Sequence, residues 1–318
     1  MFSSSTTSFL LLLCMYSGLD SLDSNMLVFW GYPASDTKYC EVRTEAMSFD
    51  DCISLCLTST YCMIAFGDAA DCTLCDIYTI DTVTQTDSTG GIKIAIKVDV
   101  LNNCPADLQA NQYSRTNDFN TYSIAFSEPS WIFTYEKNCL DLDSYRMFPR
   151  PVGAFCLTVQ AVYGYDISQV SSKQLCEDMG AGVELAGMQS IEEYEFVMDV
   201  ARTLMGSSST RDYTPVWISG TMKAKCASTS IPTDCRGIEA FENFPYQDNF
   251  DAYTFASGYP NFTAIGTTNL KYQECLWLRI GQQKIDMNGQ ISNAVCDLNC
   301  NGGNTVCGAG YICGGLAQ

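Results

Sequence analysis

The 318-residue chain contains no histidine. That absence removes the commonest general base near neutral pH, a Ser-His-Asp triad and the most frequent zinc ligand at once. Basic residues are scarce too: 17 Lys and Arg stand against 36 Asp and Glu, a net charge of −19. A surface of that sign repels phosphate backbones, which argues against a nucleic-acid partner, and it keeps a chain soluble. Long apolar runs are missing. The stretch Phe9–Tyr16 (FLLLLCMY) is too short to cross a bilayer, and no later segment suits a membrane helix or a lipid anchor. Carboxylates are too common here for a pair to indicate catalysis. There is also no nucleophile–base pair, and the glycines of 301–315 lack the basic residue and following helix of a phosphate loop. Nothing in the chain identifies an enzyme.

Cysteine, by contrast, is abundant. Eighteen cysteines with no redox motif or zinc-type pairing point to disulfides and an oxidising compartment. Phe9–Tyr16 follows a Ser/Thr-rich start and precedes the small residues Ser17 and Gly18, so residues 1–18 read as a cleaved signal peptide and the protein as secreted. Losing Cys14 with that signal leaves an odd number.

The length accommodates two domains, each able to bury a core. A first unit spans 22–100, with strand-like runs MLVFWGYP and IKIAIKVDV at its ends. Phe49–Leu57 reads as a helix capped by Ser48, with Asp51 as the acidic third residue. Cys52 and Cys56 share one face of that helix, and Cys40, Cys62, Cys72 and Cys75 complete a set of six. These six pair among themselves, with a short Cys56–Cys62 link and the rest open. Residues 81–91 read as a polar loop, and 101–138 as a linker or an extension without clear period.

Beyond it, a helix opens at Ser171 with Gln174 as capping-box partner and stops at Gly180. A second helix is capped by Ser190 with Glu193; Ile191, Tyr194, Val197, Met198, Ala201 and Leu204 recur at helical spacing before Gly206. Glu192, Glu193 and Glu195 are first-turn carboxylates that the helix macrodipole accounts for. Val216–Gly220 is a short apolar strand, and Asn288-Gly289-Gln290 a hairpin-type turn.

Five motifs in this order resemble the C-type lectin-like domain: the helix cysteine Cys176, LAGMQSIEE from Leu185, WISG from Trp217, GYPN from Gly258, and NGQISNAVC ending at Cys296. The resemblance assigns 139–316 to this domain. In the first unit, GYP from Gly31, CISLC from Cys52 and IAIKV from Ile94 resemble a PAN/apple-like domain of the kind nematode secreted proteins place ahead of lectin-like domains. The implied fold class is α+β: a helix on a small antiparallel sheet, then a disulfide-rich lectin-like fold of two helices, antiparallel sheets and a long loop. Arg150–Cys156 fits the N-terminal strand of the long lectin-like form, and Tyr311–Gly314 its terminal strand. Within this frame the expected pairs are Cys139–Cys156, Cys176–Cys313, Cys226–Cys235, Cys275–Cys296 and Cys300–Cys307. Cys104 is left over, which suggests a disulfide-linked dimer.

In sugar-binding members of that family, a calcium ion bridges protein oxygens and two sugar hydroxyls. The ligands come from a Glu/Gln-Pro-Asn/Asp loop, a separate acidic residue and a Trp-Asn-Asp strand. Here the loop reads Tyr259-Pro260-Asn261 and the strand Ile291-Ser292-Asn293; of the carboxylates, Glu274 alone keeps its place. The resemblance therefore implies an architectural loop, loss of calcium-dependent sugar binding, and no cofactor. Among the loop aromatics, Tyr246, Tyr253 and Tyr259 are candidates for a contact surface, while Phe241, Phe244, Phe250 and Phe255 fill the loop's own core. Asn261-Phe262-Thr263 is the one sequon, so Asn261 is a glycosylation candidate that would compete with any ligand there. The expected function is a secreted, non-enzymatic recognition protein for a glycan or protein ligand. A calcium-dependent lectin and a disulfide-linked coat or matrix component are the alternatives.

Overall fold

The computed structural model describes residues 24–34, 37–45, 47–67, 71–90, 92–99, 112–116, 120–139, 144–162, 167–205, 212–227, 232–262, 273–281, 287–296 and 308–318. The signal segment 1–18, Cys104, Cys300, Cys307 and Gly206 lie outside them. The chain divides into two compact units, Met1–Asn138 and Cys139–Gln318.

In the first unit the described strands are β1 (Ser24–Pro33), β2 (Glu41–Arg43), β3 (Cys62–Gly67), β4 (Cys72–Asp76), β5 (Thr82–Gln85), β6 (Ile92–Asp99), β7 (Gln112–Thr116), β8 (Thr121–Ser127) and β9 (Ser130–Tyr135). They form one antiparallel sheet in the order β2-β4-β3-β6-β1-β5-β9-β8-β7. The two apolar end runs pair at its centre, with Leu27 opposite Ile96. Helix α1 (Phe49–Thr58) starts at a full capping box, in which the Ser48 hydroxyl accepts the Asp51 N–H and the Asp51 carboxylate accepts the Ser48 N–H. Its buried Phe49, Cys52, Ile53 and Cys56 pack on Met26, Val28, Ala65, Leu74 and Ala95. Cys52–Cys72 and Cys56–Cys62 staple the helix to β4 and the start of β3, while Cys40–Cys75 ties down the segment before β2.

One part of this sheet differs from expectation. Thr82–Gln85 is a strand, not loop: the β-branched Thr-Val-Thr run suits a pleat, and Val83 is fully buried between β1 and β9. Residues 112–116 and 121–135 also join the sheet, as an extension of the first unit. Their alternation is carried by Tyr122, Ile124, Trp131, Phe133 and Tyr135, whose side chains are buried, with the Tyr122 ring against those of Phe133 and Tyr135.

In the second unit β10 (Arg146–Arg150) and β11 (Gly153–Ala161) form a hairpin. Arg150–Cys156 is thus two strands around a Pro151-Val152 turn, not one. Helix α2 (Gln169–Met179) begins three residues before expectation, because the Ser168 hydroxyl, not that of Ser171, takes the cap by accepting the Ser171 N–H. After β12 (Glu184–Leu185) comes α3 (Ile191–Met205), whose Glu193 N–H is capped by the Ser190 hydroxyl. Its buried stripe runs through Glu193, Phe196, Val197, Ala201 and Met205; Ile191 and Leu204 are exposed, a correction to the apolar spacing. Strands β13 (Tyr213–Met222), β14 (Phe241–Glu242), β15 (Cys275–Gly281), β16 (Ile291–Ala294) and β17 (Gly310–Leu316) complete the described elements. The sheet order is β10-β11-β17-β13-β15-β16, with β13 and β17 parallel and the other pairs antiparallel.

A core around Trp217, Trp277 and Tyr311 encloses the Cys176–Cys313 disulfide, which joins α2 to β17. The Trp217 indole N–H donates to the Ile167 carbonyl at 2.6 Å, so the buried ring keeps its polar edge satisfied. Cys139–Cys156, Cys226–Cys235 and Cys275–Cys296 are the other described bridges of this unit. Among the described residues no helix is long and apolar enough to cross a membrane.

Candidate functional site

The described part of the long segment between β14 and β15 is held by three polar devices. The first is a bracket on β16. The Asn293 side-chain oxygen accepts the Asn261 N–H at 2.7 Å, and its amide N–H groups donate to the carbonyls of Asn261 (2.7 Å) and Gln273 (2.5 Å). Both amide atoms are committed to backbone, and Asn293 is buried. Backbone bonds from Ala256 N–H to the Ile291 carbonyl and from Ile291 N–H to the Thr254 carbonyl pin the same loop to the strand. The Tyr259–Pro260 peptide is cis.

The second device is Arg279 on β15, which sequence reasoning passed over. Its side chain is 5 % exposed, with the guanidinium carbon 4.6 Å from the ring centroids of both Tyr213 and Tyr259. Its Nε donates to the Ser292 hydroxyl at 2.8 Å, and the Trp277 indole N–H donates to that same oxygen. A desolvated guanidinium between two ring faces gains about 2 kcal/mol per face. Burial raises the Tyr213 hydroxyl's pKa, and Arg279 partly offsets the rise. One sequence signal was available: Arg279 is the lone charge in CLWLRIG, a strand otherwise apolar.

A third assembly holds the start of the loop. Arg150 and Glu193, both fully buried, form a bidentate pair at 2.8 and 2.7 Å. Arg150 also donates to the carbonyls of Gly187 (2.8 Å) and Tyr246 (3.1 Å) and lies 3.6 Å from the Phe155 ring centroid. The Glu193 carboxylate takes the Gln189 N–H as well, at 2.6 Å. Glu193 is therefore not merely a first-turn carboxylate answering the helix dipole. It is the counter-charge of a buried arginine from another element.

Around these devices the remaining candidates fall as follows. Tyr253 is half-buried, edge-on to Phe244 and Phe250, and its hydroxyl donates to Gln247 at 3.3 Å. Burial pushes that hydroxyl up to about 12. Gly187 is required beneath it, since a Cβ there would collide with Tyr253 and Gln247. Tyr246, half-buried in a left-handed conformation (φ 55°), leans on Phe155 at 5.9 Å. Glu274 is half-buried, and its carbonyl accepts the Met222 N–H. The structure thus brings Tyr259, Asn261, Ser292 and Asn293 into one cluster, joined by Arg279.

Residues 151–316 match the family model described as C-type lectin domain-containing protein 141/158, and residues 26–98 match the PAN-like domain. The chain belongs to the C-type lectin domain-containing protein 141/158 family. Its lectin-like unit is similar to several solved folds. Human lithostathine is 14% identical, covering 56% of this chain and 91% of its own, with a TM-score of 0.33. CEL-IV is 16% identical over 56% and 93% of the two chains, with a TM-score of 0.35. Ovocleidin-17 of the Gallus gallus eggshell calcified layer is 15% identical over 54% and 96%, with a TM-score of 0.32. No curated protein matches the chain.

Among the described residues, the donors at Tyr259, Ser292 and Asn293 do not fit the calcium ion of sugar-binding relatives. A hard cation needs six to eight oxygens, several of them charged. Tyr259 offers a ring face, the Ser292 oxygen already receives two N–H donors, and the Asn293 oxygen holds the loop backbone. A guanidinium already brings positive charge to these residues.

Proposed function

We propose that this protein is a secreted, non-enzymatic recognition protein whose lectin-like unit engages a glycan or protein ligand without calcium. One observation carries the reading: Arg279 lies against residues standing at two of the family's ligand positions, the Tyr259 ring and the Ser292 hydroxyl. The cation is covalently part of the chain, so loop order does not depend on an ion from solution. The seven described disulfides support an extracellular setting. The absence of histidine and the commitment of Asn293 and Ser292 to structure support a binding rather than a catalytic role.

Thermal melting with millimolar calcium or with a chelator tests this. A site filled at a hundred times its Kd would add about 2.7 kcal/mol, roughly 5–11 °C for a unit of this size. The expected difference is under about 1 °C, within ordinary measurement scatter on that scale. A clear rise with calcium refutes the reading.

A further inference from the structure

Among the described disulfides, Cys275–Cys296 stands apart in two ways. Cys296 is half-exposed, whereas every other described half-cystine is buried, its partner Cys275 included. It thus offers an attacking thiolate the most open approach among them, and exposed bridges are the labile ones. The second distinction is Gln169, the buried first residue of α2. Its Nε2 donates to the carbonyls of Ile218 (2.8 Å) and Gly220 (3.2 Å), which fixes the orientation of the amide. The amide oxygen, Oε1, then lies 2.8 Å from the Cys275 sulfur. A disulfide sulfur carries no hydrogen, so this acceptor meets no donor there while the bridge is closed. A buried carbonyl without a donor is disfavoured, and a thiol at Cys275 would supply one.

We propose that Cys275–Cys296 is a reversible redox switch opened by an external dithiol. One thiolate of the dithiol attacks the Cys296 sulfur and the S–S bond breaks. Cys275 leaves as a thiolate, takes a proton from solvent, and donates the new S–H to Gln169 Oε1. The second sulfur of the dithiol then displaces Cys296, which is protonated in turn. Both electrons come from the dithiol, which departs as its own disulfide.

The bridge joins the start of β15 to the residue two beyond the end of β16. Those strands carry the loop bracket, in which Asn293 holds the backbone of Asn261 and Gln273. Opening the bridge frees the adjoining strand ends, while the register from Cys275 opposite Ala294 to Leu278 opposite Ile291 still pairs them. The long loop loosens and the unit stays folded.

The test equilibrates the full chain with rising dithiothreitol under native conditions, traps thiols by alkylation and reads the labelled peptides by mass spectrometry. Cys275 and Cys296 are expected to open at about one tenth of the dithiol needed for any other described bridge. The opened protein should keep its cooperative melt and show faster amide exchange at Asn261. Gln169→Met removes the acceptor, and the equilibrium constant for opening should fall roughly two- to tenfold, the contribution of one neutral hydrogen bond. The two donations to backbone carbonyls are lost from the open and closed forms alike and cancel from that ratio. Opening together with or after another described bridge, opening only with loss of the melt, or unchanged exchange at Asn261 overturns the proposal. So does an unchanged constant in a natively melting Gln169→Met. Should that variant misfold, the order of labelling and the exchange at Asn261 in the unmutated chain decide the matter.

Discussion

Replacing Glu193 with alanine would strip the counter-charge from Arg150, a side chain with no solvent exposure. The guanidinium would keep its bonds to the Gly187 and Tyr246 carbonyls but lose both charge-assisted bonds to the carboxylate, and the Gln189 N–H would lose its acceptor. Removing one partner of a buried pair costs about 3–5 kcal/mol, most of it the price of an uncompensated charge. For a unit of this size each kcal/mol moves the midpoint by about 2–4 °C, so a fall of about 10 °C is expected in the lectin-like unit's transition. Scanning calorimetry reads it, and the transition of Met1–Asn138 serves as internal reference. The double variant Arg150→Met, Glu193→Leu removes both charges and should regain most of the loss. A fall below about 2 °C for Glu193→Ala, or a double variant worse than the single one, refutes the reasoning.

Three further outcomes follow from the same chemistry. Lys97 is buried on β6, donating to the Leu57 and Ser59 carbonyls, and burial pushes its pKa down from 10.5 to about 8. Between those values the unfolded chain binds more protons than the native one, so stability rises with pH through that window; native protein should gain on Lys97→Met from pH 8 to 10, and the opposite slope in paired melting curves contradicts the assignment. Asn293→Ala deletes three hydrogen bonds to loop backbone, at a cost of about 1–3 kcal/mol, and should speed amide exchange at Asn261; unchanged protection there would show that the bracket is idle. Asn261 is expected to carry a glycan, seen by mass spectrometry of its peptide before and after deglycosylation, and an unmodified asparagine in protein from its native source disproves it.

What the sequence revealed was what local chemistry encodes. The Ser48–Asp51 capping box, the apolar end runs of the first unit and the five ordered lectin-like motifs were legible because each is written in neighbouring residues. The start of α2 was misplaced because Ser168 and Ser171 both suit a cap, and only the fold decides between them. Strands β5, β7 and β8 were hidden because their polar residues and short length blur the alternation. The Arg150–Glu193 pair spans 43 positions, and no spacing rule connects them. At the long loop the loss of oxygen ligands was visible residue by residue. That Arg279 takes up Ser292 and Tyr259 required the register of β15 against β16, which sets Trp277 opposite Ser292.

The Cys176–Cys313 bridge closes an arc of 137 residues, and β11 runs antiparallel to β17, so the ends of the lectin-like unit lie side by side. Pulled by those two ends, the unit would transmit tension along β11, α2, the bridge and the last residues of β17, bypassing everything between the two cysteines. Force would unzip β11 from β17 pair by pair, yet the arc holding α3, the long loop and β13 to β16 could not be drawn out while the bridge is intact. A molecule tethered on both sides could therefore yield at its margins under shear while the surface between the cysteines stays in shape.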